Sequence, residues 1–149
     1  MSPKHWGPPT WIFFHTLAEK IQEDKFIHIG HELVGHIISI CNNLPCQDCT
    51  RHAKEHLSKI DIKGIKTKND LRNMLYVLHN EVNKLTSKNL FKYENLNNFA
   101  KNDLILAFNN FAKNFTAGVS LNSLSFSFHR SRLLPPIRKW IIKNNAYLR

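Results

Sequence analysis

TKNDLRNMLYVLHNEVNKLTS, residues 67–87, carries the clearest helical pattern of the chain. Its apolar side chains recur every three or four residues and form one broad stripe: Leu71, Met74, Leu75, Leu78, Val82 and Leu85. Tyr76, His79 and Asn83 form a second, polar stripe beside the apolar one. Polar groups at the edge of a core need hydrogen-bond partners. This segment therefore predicts a long helix against which a bound group could lie.

The same reasoning predicts helices on both sides of this segment. Before it we expect three helices, at about 9–22, 26–43 and 46–58, with Pro8 and Pro9 opening the first and Pro45 ending the second. After it we expect one helix from Tyr93 to about Asn114, a break over 116–118, a short strand-like alternation over 124–128, and a helix over 137–148 that follows Pro135 and Pro136. Before residue 100 no run of β-branched residues suits a βαβ unit. The chain is therefore predicted to be all-α.

The charge of the chain is unevenly distributed. Its 149 residues are 42% hydrophobic and include ten Phe, which is enough to bury a core and argues against disorder. The net charge of +10 divides into +3 for residues 1–100 (13 basic, 10 acidic) and +7 for residues 101–149 (8 basic, 1 acidic). We therefore expect a near-neutral domain over 1–100 and a basic extension over 101–149, not a uniformly basic nucleic-acid-binding protein.

The three cysteines lie within nine residues of one another, at positions 41, 46 and 49. A secreted disulfide framework would spread an even number of cysteines along the chain. The N-terminus shows no apolar signal-peptide core, and no apolar run approaches the ~18 residues of a membrane span. The sequence thus predicts a soluble intracellular protein.

Cys46 and Cys49 are predicted to open the third helix, where backbone N–H groups and the helix dipole stabilise a thiolate. This placement favours redox chemistry. One alternative is zinc, because Cys46, Cys49, His52 and His56 follow the spacing C-x2-C-x2-H-x3-H. Structural zinc sites usually take their ligands from two separated pairs, whereas these four share one short helix. The other alternative is a redox-inert interaction module in which the thiols of Cys46 and Cys49 are buried. Cys41, on the preceding helix, is expected only to pack in the core.

Three motifs follow one another along the first hundred residues. They are Trp6-Gly7-Pro8-Pro9-Thr10-Trp11 with His15-Thr16-Leu17-Ala18, then Pro45-Cys46-Gln47-Asp48-Cys49, then His79-Asn80-Glu81-Val82-Asn83-Lys84. In this order and spacing they resemble the Erv/ALR family of FAD-linked sulfhydryl oxidases, in its compact viral form. The resemblance covers about residues 5–100. It implies a four-helix bundle with a short fifth helix, followed here by a mainly helical extension.

The resemblance also implies an activity and its residues. Members oxidise dithiols in proteins to disulfides and pass two electrons through FAD to molecular oxygen, which gives hydrogen peroxide. It implies that Cys49 lies against the isoalloxazine ring and that Cys46 exchanges with the substrate. For FAD it implies residues of the N-terminal segment and of the fourth helix: Gly7, Thr10, Trp11, His15, Tyr76, His79, Asn80, Val82, Asn83, Lys84 and Lys88.

Particular FAD contacts follow from the same resemblance. Trp11 and His79 would sandwich or edge the adenine, and Lys84 and Lys88 suit the pyrophosphate. Two positions depart from the family pattern: Phe99 stands where Trp or Tyr is frequent, and Pro8 stands where many members carry a basic residue.

No metal is implied, and no second cysteine pair exists to shuttle electrons. The reductant is therefore expected to be a dithiol protein substrate or a separate thioredoxin-like carrier. We also expect a homodimer and a viral source, which would place the protein in the host cytoplasm or the virion. For the basic extension over 101–149, the sequence leaves three alternatives. They are packing on the bundle or at a dimer interface, binding of an acidic partner, an anionic membrane or nucleic acid, and disorder, which the many aromatic residues disfavour.

Overall fold

The computed structural model of the chain describes residues 3–117 and 124–149, with the side chains of residues 5–117 and 128–149. Within these residues the chain forms six α-helices: α1 Pro3–Lys20, α2 Phe26–Cys41, α3 Gln47–Leu57, α4 Lys68–Leu85, α5 Leu104–Phe115 and α6 Leu124–Lys143. Shorter 3-10 helices span Glu23–Lys25, Ile62–Gly64, Tyr93–Lys101 and Asn145–Tyr147. The described residues contain no strand, only an isolated bridge between Ile21 and Leu148. The prediction of an all-α fold is confirmed.

Helices α2, α3 and α4 lie where the sequence predicts them, and local hydrogen bonds explain where α3 and α4 begin. At α4 the Thr67 hydroxyl accepts from the Asp70 N–H, while the Asp70 carboxylate accepts from the Thr67 N–H. This reciprocal capping box satisfies two donors that a helix start leaves unpaired. At α3 the cap is Cys46, whose Sγ accepts from the Cys49 N–H at 3.2 Å.

The start predicted for α1 was wrong. The helix begins at Pro3 and contains both Pro8 and Pro9, although each of these prolines removes one backbone donor. Trp6 is buried, with 6% of its surface exposed, and its carbonyl accepts from the buried Thr10 hydroxyl at 2.6 Å. Tertiary packing of Trp6 thus keeps this segment helical.

The single helix predicted over 93–114 was also wrong, because the chain breaks at Asn102 and Asp103. The Asp103 carboxylate accepts from the Leu106 N–H and caps a new helix, α5. Asn102 donates to the Thr16 hydroxyl of α1 at 3.1 Å. These side-chain bonds replace the helical backbone bonds that continuity would require.

The strand-like segment over 124–128 and the break at Pro135 and Pro136 were wrong as well. Both prolines lie inside α6, which runs from Leu124 to Lys143. They are exposed, whereas the side of α6 that carries Ile137, Trp140 and Ile141 is buried. Packing of that side maintains the helix through the prolines. The predicted helix over 137–148 is the second half of α6 with the Asn145–Tyr147 turn. The break predicted over 116–118 includes Gly118, which lies outside the described residues.

Helix α1 is the centre of the packing, in contact with α4, α5 and the Tyr93–Lys101 helix. A buried ion pair ties it to α4, with Arg72 Nε and Glu19 Oε2 2.6 Å apart. On its other side Phe13 stacks on Phe111 of α5, with ring centroids 4.9 Å apart. The bundle therefore consists of α1–α4 with Tyr93–Lys101 as its short fifth helix, extended by α5 and α6.

The C-terminal extension contributes to the same hydrophobic core. Its buried side chains include Phe108, Phe111, Phe115, Ile137, Trp140 and Ile141. Among the described helices, none is long and apolar enough to cross a membrane.

Substituting Phe111 should show how far the bundle depends on this extension. Phe111 is fully buried, so Phe111→Ala is expected to lower the free energy of unfolding by about 3–5 kcal/mol. Leu106→Ala is the matched control on the same helix, because 68% of Leu106 is exposed. Urea denaturation followed by circular dichroism measures both. Equal losses in the two variants would contradict the packing described for α5.

Candidate active site

Cys46 and Cys49 are joined in a disulfide at the start of α3. Their Cα atoms are 5.2 Å apart, and both residues are partly exposed. Because Cys46 is the N-cap, the pair lies at the positive end of the α3 dipole, which stabilises a thiolate once the disulfide is reduced. The pair is thus accessible to a thiol and placed to release a stable thiolate.

Cys41 contrasts with this pair. It is a free cysteine at the end of α2 and only 2% exposed. Burial raises the pKa of its thiol to about 12. Near neutral pH Cys41 is therefore a neutral thiol, whereas thiol exchange requires a thiolate.

A cavity of about 340 Å³ lies beside the disulfide, between α1, α3 and α4. Its volume is within the range of small-molecule sites, and most of its wall is apolar or aromatic. Cys49 is part of this wall. The disulfide thus presents one of its two cysteines to the cavity.

The structure brings most of the predicted cofactor residues to this cavity. Those that line it are Gly7, Thr10, Trp11, His79, Val82, Asn83 and Lys88. The other four, His15, Tyr76, Asn80 and Lys84, are not part of its wall. His15 lies behind His79, Tyr76 packs edge-on against Tyr93, and Lys84 pairs with Glu81 at 3.3 Å.

Aromatic rings form the wall where α1 meets α4. Trp11 and His79 are nearly parallel, 8° apart, with ring centroids separated by 4.1 Å. That separation is direct stacking, so no adenine fits between the two rings in this arrangement, and an adenine would meet their edges. His15 continues the cluster by stacking on Phe91 and Phe99 at 5.4 and 4.8 Å.

A hydrogen bond joins the two histidines, with His15 Nε2 and His79 Nδ1 2.9 Å apart. Burial, followed by the nearness of His79, lowers the pKa of His15 to about 3. Burial, followed by the charge of Lys88, lowers the pKa of His79 to about 4. Both rings are therefore neutral near pH 7, and one donates to the other.

The tautomers follow from what surrounds His15. Its Nδ1 is buried without a partner among the described residues. A buried unpaired N–H is costly, so His15 Nε2 is assigned as the donor and His79 Nδ1 as the acceptor. His79 Nε2 then carries a proton and can donate to a ligand in the cavity.

The end of α4 positions Lys88 at the cavity. Ser87 adopts a left-handed conformation, with φ 57°. The Lys88 N–H donates to the Asn83 carbonyl at 2.8 Å and the Ser87 N–H to the Lys84 carbonyl at 3.3 Å, the pattern of a Schellman motif.

Asn80 holds the segment that follows this turn. Its side chain bonds both the N–H and the carbonyl of Phe91, at 2.7 and 3.0 Å. The buried Asn80 is therefore not part of the cavity wall but holds in place the segment that carries Lys88.

One buried donor on the cavity wall lacks a partner. Trp6 lines the cavity, and its indole N–H is buried without a hydrogen-bond partner within residues 3–117 and 124–149. Buried polar groups of native proteins are usually paired. A ligand with acceptor atoms would satisfy this donor.

The sequence did not single out several other residues of the wall as cofactor contacts: Trp6, Pro8, Ile12, Phe14, Cys41, Leu44, His52, Ala53, Leu78, Leu85, Thr86 and Phe99. His52 had a usable signal, because it follows Cys49 by three residues on α3 and so shares its face. The zinc alternative took the same spacing of Cys49 and His52 as a pair of metal ligands. Within the described part of the chain, no three or more His, Cys, Asp or Glu side chains are grouped to hold a metal ion.

Comparison with known proteins places this site in a family. The family model of the Erv1 / Alr family matches residues 8–103, well over half of the chain. The chain belongs to the Erv1 / Alr family. The resemblance expected from the three motifs is thereby confirmed, and the family match includes every residue of the cavity wall except Trp6 and Gly7.

Curated relatives of this Erv1 / Alr protein come from large DNA viruses. An FAD-linked sulfhydryl oxidase of African swine fever virus (isolate Tick/Malawi/Lil 20-1/1983) is 25% identical over 101 residues, which cover 68% of this chain and 84% of the relative. A fowlpox virus protein named a probable FAD-linked sulfhydryl oxidase is 32% identical over 76 residues, covering 51% and 71%. A variola virus protein of the same description is 31% identical over 87 residues, covering 58% and 85%. No solved structure gives a significant match.

The two histidines make the stability of this Erv1 / Alr protein depend on pH. Unfolded histidine binds a proton near pH 6.5, whereas folded His15 and His79 resist protonation down to about pH 3 and 4. Between these values the unfolded state binds more protons, so the free energy of unfolding falls as the pH falls below about 6.5. The slope is at most about 1.4 kcal/mol per pH unit for each histidine.

Denaturant unfolding at several pH values between 7 and 4 measures this slope. We expect His15→Gln to reduce it, whereas Leu71→Ala, which removes buried apolar volume and no titrating group, lowers the stability at every pH and keeps the slope. An unchanged slope in His15→Gln would refute the assignment of a buried neutral His15.

Proposed function

We propose that this protein is an FAD-linked sulfhydryl oxidase, which forms disulfides in protein substrates and passes the electrons to molecular oxygen, giving hydrogen peroxide. One observation carries the proposal: the Cys46–Cys49 disulfide lies at a helix N-terminus, and Cys49 lines an aromatic cavity built from the other two family motifs. The names of the viral relatives support both the activity and the cofactor.

The cavity suits FAD on the chemistry of its wall. The indole rings of Trp6 and Trp11 and the apolar side chains of α4 give an aromatic and apolar wall that suits a flat ring system. The unpaired Trp6 N–H and the His79 Nε2–H suit carbonyl and ring-nitrogen acceptors, and Lys88 suits a phosphate. When bound, FAD supplies the two-electron acceptor that reoxidises the thiols and delivers the electrons to oxygen.

We assign the remaining predicted cofactor residues supporting roles. His15 orients His79 through their hydrogen bond, and Asn80 fixes the segment that carries Lys88. Tyr76 packs on Tyr93, and the exposed Lys84 pairs with Glu81, so we assign these two residues to the surroundings of the site.

Thiol exchange at Cys46 would begin the reaction. A substrate thiolate attacks Cys46 Sγ, the new S–S bond forms as the Cys46–Cys49 bond breaks, and the electron pair leaves on Cys49. The α3 N-terminus stabilises that thiolate. The second substrate thiol, as its thiolate, then attacks the substrate sulfur of the mixed disulfide and releases Cys46. The substrate leaves as a disulfide, and the two electrons remain on Cys46 and Cys49.

The partners follow from this scheme. We propose a dithiol protein or a separate thioredoxin-like carrier as the reductant, because the chain has no cysteine outside positions 41–49. We propose a homodimer, which the exposed Ile12, Ile105 and Leu106 on neighbouring helices support as an apolar contact surface.

Residues 1–100 are proposed to be the oxidase domain and residues 101–149 a basic extension that binds an acidic surface. The viral relatives support a location in the host cytoplasm or the virion.

The purified protein should be yellow, with flavin absorbance bands that dithiothreitol bleaches and air restores. Oxygen consumption with dithiothreitol should accompany hydrogen peroxide formation, and Cys46→Ser and Cys49→Ser should each abolish both, since either change removes the disulfide. Cys41→Ala is the matched control and should keep the activity. A colourless protein with stoichiometric zinc would refute the proposal and favour the metal-binding alternative.

The division of roles between the cysteines predicts which of them binds the substrate. When mixed with the oxidised form of a substrate protein, Cys49→Ser should accumulate a mixed disulfide at Cys46. The Cys46 thiolate attacks the substrate disulfide, one substrate cysteine leaves as a thiolate, and the Cys49 thiolate that would displace the substrate is gone. Non-reducing electrophoresis and peptide mass spectrometry identify the linked residue. Capture only through Cys41 would overturn the assignment.

A further inference from the structure

The outer face of α6 has a composition that the oxidase site does not use. Ile137, Trp140 and Ile141 bury one side of this helix against the bundle, and none of its residues lines the cavity. At 100° per residue, the opposite side carries six exposed side chains within an arc of about 100°, Pro135 and five others: Phe128, Arg132, Lys139, Ile142 and Lys143. We refer to these five residues as the outer face. Each of them is exposed.

The cations of the outer face are unneutralised. Arg132, Lys139 and Lys143 follow a single line along the helix, and none of them forms an ion pair within the part of the chain that the structure describes. The sequence from Leu104 to Arg149 contains no Asp or Glu. The face therefore presents a positive stripe of one sign.

Two large apolar side chains lie among these charges on the outer face. Phe128 is 62% exposed and Ile142 is 63% exposed, although burial of either would be favourable. They are 14 residues apart, roughly 21 Å along the helix. The Arg132 guanidinium lies over the Phe128 ring at 4.7 Å, so charge and apolar surface are interleaved.

We propose that the outer face of α6 binds the surface of an anionic phospholipid membrane, with the helix parallel to the bilayer plane. Lipid phosphates and carboxylates would pair with the three cations, while Phe128 and Ile142 would enter the headgroup–acyl boundary. A nucleic acid backbone would also pair with the cations, but it offers no apolar phase for Ile142. This proposal does not depend on the oxidase chemistry. It would place the oxidase at the surface of an anionic membrane.

Vesicle sedimentation with the full-length protein tests the proposal. We expect binding to vesicles of phosphatidylcholine with phosphatidylserine, weakening with added salt, and little binding to phosphatidylcholine alone. Arg132→Gln, Lys139→Gln and Lys143→Gln together should weaken the binding roughly 100-fold at low salt, at about fivefold for each charge. The matched control, Lys54→Gln with Lys59→Gln and Lys63→Gln, removes three exposed lysines elsewhere and should keep the binding.

A second variant separates lipid from nucleic acid. Phe128→Ser with Ile142→Ser should weaken vesicle binding roughly 10-fold or more without changing its salt dependence. Circular dichroism and dithiothreitol oxidation should be unchanged in both outer-face variants, since the substituted side chains are exposed and none of them lines the cavity. Equal loss in the lysine control would overturn the proposal. So would binding of the chain to a DNA duplex, but not to anionic vesicles, in a manner that depends on Arg132, Lys139 and Lys143.

Discussion

The hydrogen bond between His15 and His79 is the constraint on which the rest of the site depends. It connects α1 to α4 inside an aromatic cluster, and it forms between two neutral rings because burial removes their charge. Trp11 stacks on one of these rings, and the cavity wall continues from there along both helices. These two polar residues thus pack as neutral rings within the aromatic cluster. The N–H that their hydrogen bond leaves over, at His79 Nε2, suits a ligand with hydrogen-bond acceptors.

Much of this fold could be predicted from the sequence where short-range rules decide it. The periodicity of α4 is a local pattern and is found as expected, and the Thr67 cap that begins this helix is local as well. The errors arose where distant contacts override those rules. Prolines predicted helix boundaries at Pro8 and Pro135, but Trp6 and Trp140 are buried next to them and hold the chain helical. The break at Asp103 was missed because a capping carboxylate resembles any other polar residue in a periodic pattern.

The site shows the same division. The motif residues of α1, α3 and α4 are far apart in sequence, and spacing alone left redox, zinc and inert alternatives open for the cysteine pair. Folding brings Cys49 and the N-terminal motif to one cavity and leaves Tyr76 and Lys84 outside its wall. Trp6 joins the wall because of helix packing, whereas His52 lies there because it shares the face of α3 that carries Cys49. The family resemblance was informative because it implies that the three motifs lie together in the folded protein, which their spacing in the sequence does not show.

Cys41 has a consequence for the durability of such a catalyst. In the proposed reaction the Cys46–Cys49 disulfide opens in every cycle, and a third thiol nearby could compete for it and form a wrong disulfide. With a pKa of about 12, only about one Cys41 in 10⁵ is ionised at pH 7. Its competing attack is slowed accordingly. In the proposed cycle, burial of Cys41 in α2 thus favours re-formation of the Cys46–Cys49 disulfide over a wrong pairing with Cys41.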